Sequence, residues 1–103
     1  MHTEINKHRQ ALTALCRRYG VMRLEVFGSA ARGVDFDPAK SDADLLVEFD
    51  KESGISALDQ FLGFSEELEE LLGRRIDLVE ASAVRNPYVR AMINRSRELI
   101  YAT

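Results

Sequence analysis

A chain of 103 residues, 46% hydrophobic and 30% charged, has the size and make-up of one globular domain, 1–103, with a single core. Its net charge of −3 argues against recruitment of nucleic acid by the field of the whole molecule, and its one cysteine excludes an intrachain disulfide. No apolar run approaches the ~20 residues of a membrane span, and Met1 to Lys7 lacks a signal peptide's apolar core, so no membrane contact and a cytoplasmic location are expected.

Thr3 can cap a helix to about Arg18, with Ile5, Leu12, Leu15, Cys16 and Tyr19 on one stripe and Gly20 ending it. Cys16 reads as core packing, and neither His2 nor His8 is placed to activate it. Val21 to Phe27 predicts the first strand, and Gly28-Ser29 turns out of it into a short helical segment ending near Arg32-Gly33. A loop through Pro38 leads to a second strand carrying Asp42, Asp44, Leu45, Leu46, Val47, Glu48 and Phe49. From about Ser56 to Leu72 a long helix is expected to turn Leu58, Phe61, Leu62, Leu68 and Leu72 to the core and Glu67 and Glu70 to solvent, and Gly73 stops it.

A third strand runs from about Arg75 to Glu80. Asn86-Pro87 supplies a cap and a first-turn proline for a helix to about Arg95, and Glu98 to Tyr101 is placed as an edge strand. The fold class is α/β, with a small mixed sheet packed against helices.

The chemistry lies in the acids. Asp42 and Asp44 alternate with Ala43 on a strand, so they share a face, their Cα atoms about 6.5–7 Å apart. Beside an apolar run, two like charges are costly unless a cation sits between them. Hard oxygen donors favour Mg²⁺ or Mn²⁺ over zinc. A Gly28-Ser29 turn after a strand can offer N–H groups and a hydroxyl to a phosphate. Asp77 interrupts a third apolar strand and is expected to join the pair, giving enough carboxylates for two cations. Glu48 shares the face of Asp44 but reads as solvated or salt-bridged. Arg32 is equally a triphosphate contact or an ion-pair partner of Asp35 or Asp37. Tyr88 and Tyr101 read as packing residues with polar tips, self-modification being the lesser alternative.

The runs Phe27-Gly28-Ser29-Ala30-Ala31-Arg32-Gly33, Ser41-Asp42-Ala43-Asp44-Leu45-Leu46-Val47 and Ile76-Asp77-Leu78-Val79 resemble the minimal nucleotidyltransferases of the polymerase-β superfamily, close to their MntA-type antitoxin branch. The likeness extends over nearly the whole chain, although the stretch from Ala30 to Ser41 is slightly longer than the usual spacing. The resemblance implies a Mg²⁺-dependent enzyme that transfers AMP from ATP to a tyrosine of a HEPN-domain (HepT-like) toxin in a hetero-oligomer. Under it, Asp42, Asp44 and Asp77 are the catalytic and metal-binding carboxylates, and Gly28 and Ser29 form the phosphate-contacting turn. Two other readings stay open: a non-catalytic antitoxin acting by contact, and a subunit of a transferase for small, aminoglycoside-like acceptors.

Overall fold

The computed structural model describes residues 3–27 and 43–103. In chain order they form helices α1 (Thr3–Lys7) and α2 (Arg9–Arg18), strands β1 (Val21–Phe27) and β2 (Ala43–Phe49), helix α3 (Ala57–Leu72), strand β3 (Ile76–Glu80), a 3-10 turn (Ala81–Ala83), helix α4 (Pro87–Ser96) and strand β4 (Glu98–Ala102). The expected first helix is thus divided at His8, whose backbone (φ −104°, ψ 15°) departs from helical geometry, and Ile5 and Leu12 on either side of the break are both buried.

The four strands make one mixed sheet in the order β3-β2-β1-β4. β1 pairs antiparallel with β2 and β4, and β2 pairs parallel with β3, the crossover between them being α3. A parallel pair needs such a connection because the chain must return to the starting end of the sheet. β4 is an edge strand, as its position in the sequence suggested.

Alternation along β2 divides the molecule. Leu45, Val47 and Phe49 join Leu12, Leu15, Cys16, Leu24, Val26, Phe64 and Leu68 in the core beneath α2 and α3. Cys16 is fully buried there, and burial pushes its thiol pKa up to about 12, so it stays protonated and packs as a small hydrophobe. Leu46 faces the other way and packs with Phe27, Val84 and Ile93 under α4. Asp44 and Glu48, two residues to either side of Leu46, stand on this second face.

Helix α3 departs from expectation in its phase. The buried positions are Gln60, Phe64, Leu68 and Leu72, while Leu58 and Leu62 are 67% and 51% exposed. The reason is a polar lock at its N-terminal end. Gln60 Nε2 donates to the carbonyls of Tyr19 (3.1 Å) and Asp50 (3.0 Å) and to Ser53 Oγ (2.9 Å), tying α3 to the ends of α2 and β2. Gly20, at φ +67°, makes this approach feasible, since a Cβ there would lie 2.8 Å from Ser53 Cβ. Ser56 caps the helix through its Oγ, which accepts from Asp59 N–H, and Gly73 at φ 65° closes it. Replacing Gln60 with Leu removes the side-chain donor from the Tyr19 and Asp50 carbonyls and from Ser53 Oγ. An expected loss of about 3 kcal/mol in urea unfolding, with an unchanged denaturant slope, checks this.

Candidate active site

The strand register brings two of the predicted acids together. Asp44 on β2 is the direct register partner of Asp77 on parallel β3, and Asp44 also lies opposite Phe27, the last residue of β1. Register neighbours point to the same face about 4.8 Å apart. Asp44 is half-buried and Asp77 exposed, at the sheet end where β1 finishes and β2 and β3 begin. The apolar residues flanking each acid hold the pair in place: Leu45 and Leu78 are themselves register partners, both buried on the opposite face. Asp42, Gly28, Ser29 and Arg32 lie outside the described residues.

Two carboxylates one strand apart on one face supply hard, anionic oxygens, a donor chemistry that suits Mg²⁺. Among the described residues no group of three acids, histidines or cysteines gathers for a metal. Glu48, on the same face as Asp44, is exposed at the other end of β2, as expected for a residue outside the ligand set.

The sequence gives little warning of a second polar cluster on this face. Glu25, in the middle of β1, is 3% exposed. Arg97 grips its carboxylate with two nitrogens, Nε donating to Oε2 at 2.7 Å and Nη2 to Oε1, and Arg23 Nε adds a third bond at 2.9 Å. The Arg97 hydrogen bonds, followed by those and the charge of Arg23, hold the Glu25 carboxyl below the usual carboxylate range despite its burial. Arg97 Nη1 also donates to Asn94 Oδ1 at 2.8 Å, so the pair fastens the end of α4 to the sheet just before β4 begins. The available signal was a charged residue inside an apolar strand, but its partner is 72 positions away.

A cleft of about 340 Å³ opens along the same flank of α4, lined by Leu46, Glu48, Ser82, Arg90, Asn94 and Arg97 among others. It does not include Asp44 or Asp77. Arg90 is committed to structure there, its Nε and Nη2 donating to the Val84 carbonyl at 3.2 and 2.9 Å.

A family model described as "Nucleotidyltransferase domain" matches residues 8–100, and so contains β1 to β3, the first part of β4 and the Asp44–Asp77 pair. The chain belongs to the nucleotidyltransferase domain family. Protein adenylyltransferase MntA of Thermococcus cleftensis is 38% identical over 87 residues, which are 84% of this chain and 80% of that protein. A solved structure provisionally described as a minimal nucleotidyltransferase superposes with a TM-score of 0.73 at 37% identity, covering 95% of each chain. The fold also recurs, at a TM-score of 0.65 and 14% identity over 96% of this chain and 73% of the other, in the structure of a tri-AMPylated Shewanella oneidensis HEPN toxin in complex with an MNT antitoxin.

Members of this family transfer nucleotidyl groups, and the chain is accordingly a nucleotidyltransferase. Such catalysis rests on positioning and on neutralising charge around the transferred phosphorus. The rigid sheet end contributes the positioning: both acids sit on strands locked by the cores on the two faces, rather than on free loops.

Proposed function

We propose that the chain is an antitoxin of the MntA kind that transfers AMP from ATP to a tyrosine of a HEPN-type toxin, neutralising it. The observation that carries the reading is the side-by-side register of Asp44 and Asp77 on one face of the sheet, in a chain whose 38%-identical relative is named a protein adenylyltransferase. The Shewanella complex, sharing the fold, pairs an MNT antitoxin with an AMPylated HEPN toxin. In this reading Asp42, Asp44 and Asp77 hold Mg²⁺, which supplies charge neutralisation at the triphosphate. Gly28 and Ser29 bind the triphosphate from the segment that follows Phe27, and Arg32 adds a guanidinium contact to it. Asp77, the more exposed acid, faces the incoming acceptor hydroxyl.

Transfer is tested by incubating the protein with α-labelled ATP and Mg²⁺ in a lysate of the source organism. The expected result is a labelled HEPN-domain protein carrying adenylyl groups on tyrosine. Label that appears only in small molecules would move the acceptor to another class, and neutralisation of the toxin without any label would replace transfer by simple binding.

A further inference from the structure

Tyr101 is half-buried and packs against the α2–α3 core, in accord with a packing role. Tyr88 departs from that expectation: it lies on the first turn of α4 and is 85% exposed. The rest of the helix shares its condition. Of the ten residues of α4 only Ile93 is buried, and Val89 and Met92 stand exposed beside Tyr88. At about 100° per residue, Tyr88, Met92 and Arg95 fall within an arc of about 60°, and Ile93 lies about 130° from its middle. The arc is therefore the outward face of the helix, turned from the sheet.

The charge of this region is as one-sided as its exposure. From Arg85 to Arg97 the chain holds four arginines and no acid or lysine, although its net charge is −3. Arg90 and Arg97 are engaged by the Val84 carbonyl and by Glu25. Arg95, on the outward face, and Arg85, exposed just before the Asn86 cap, form no hydrogen bond or ion pair among the described residues. A tyrosine, a methionine and arginines without lysine match the core of a protein–protein interface better than a solvated helix face. Two such guanidiniums are too few to hold a nucleic acid, whose phosphates the negative charge of the whole chain also repels. The complement of this face is a protein surface that is apolar along its middle and bordered by carboxylates.

α4 also lies on the side of the sheet that bears the acids. Ile93 packs with Leu46, and Leu46 shares its face of β2 with Asp44. The exposed Leu58 and Leu62 belong instead to α3, in the layer behind the sheet. We propose that the outward face of α4, Tyr88 and Met92 flanked by Arg85 and Arg95, is the docking surface for the protein acceptor of adenylyl transfer, and that it takes an acidic, apolar surface of that acceptor. The inference rests on the transfer reading above. Docking there holds the acceptor by a surface separate from its reacting tyrosine, so it lowers KM without entering the chemical step.

The test takes the protein that accepts label in the lysate, purified, and a short peptide holding its modified tyrosine. The wild-type chain is compared on both with the Arg85→Glu/Arg95→Glu double variant and with Tyr88→Ala. Each variant should raise KM for the whole acceptor, by about thirtyfold for Tyr88→Ala if it behaves as an interface hot spot. The kcat, the rate on the peptide and the unfolding temperature should stay at wild-type values, because all three side chains are exposed. Lysine substitutions among the acceptor's surface carboxylates should restore the charge-reversed chain. An unchanged KM in both variants, or an equal loss on the peptide, would overturn the inference and leave the transfer reading intact. Self-association of the wild-type chain, or its pelleting with phosphatidylglycerol vesicles, that the charge reversal abolishes would give the face to a second copy or a membrane and overturn it equally. Absence of label on every protein would remove the transfer reading and the docking role with it.

Discussion

Asp44→Asn lowers adenylyl transfer by about a thousandfold or more while the protein stays folded. The magnitude follows from the role proposed for Asp44 at the phosphoryl centre, where removal of one electrostatic contributor costs about 10²–10³ and loss of the proposed metal ligand adds to it. The fold should survive because Asp44 is half-buried at the start of a strand, and its neighbours Leu45 and Val47, not its carboxylate, carry the core contacts. Asn has nearly the same shape, and it removes a like charge from beside Asp77. Single-turnover labelling, with thermal unfolding on the same samples, checks both halves. An Asp44→Asn protein that retains a tenth of wild-type transfer would contradict the assigned role.

Arg97→Ala costs about 3 kcal/mol of stability, more than Glu25→Gln. The asymmetry comes from burial: Glu25 is 3% exposed, whereas the Arg97 side chain is 38% exposed. Without Arg97 the Glu25 carboxylate stays buried with Arg23 as its remaining ion-pair partner, and breaking a buried pair from the exposed side typically costs about 3–5 kcal/mol, the lower end applying here. Without the Glu25 charge, Arg97 can turn to water, and the loss falls to about 1–2 kcal/mol.

The pair also predicts an acid dependence. Because the folded-state carboxyl of Glu25 titrates below its ordinary value, the stabilisation is fully present above that ordinary range and is lost as pH falls through the depressed folded value. The stability gap between wild type and Glu25→Gln, measured by urea unfolding from neutral pH downward, should therefore be constant near neutrality and shrink in acid. A gap that widened in acid would contradict the assignment.

Local signals placed the elements well. The Asn86 cap, the Pro87 start and the Gly73 stop all act within a few residues of chain, and each is seen where the pattern put it. The inward turn of Leu45 and Val47 was readable for the same reason, since strand alternation is a local period. The phase of α3 was not. A helix with leucines at 58, 62, 68 and 72 and phenylalanines at 61 and 64 offers two apolar stripes. Gln60, bonded to the ends of two other elements, decides which one is buried.

By its own order of residues the chain determined that it carries an Asp-x-Asp beside an apolar run, a third acid within another, a Gly-Ser pair before them and an α/β alternation of elements. Those properties depend on neighbours in sequence and on side-chain chemistry. Tertiary structure alone decided that Asp44 and Asp77 are register partners, that Glu25 closes on Arg97 across 72 positions, and that Tyr88, read as a packing residue, is exposed to solvent. The physical reason is that strand register, helix phase and exposure are collective results of packing, fixed when two faces of one sheet are covered together.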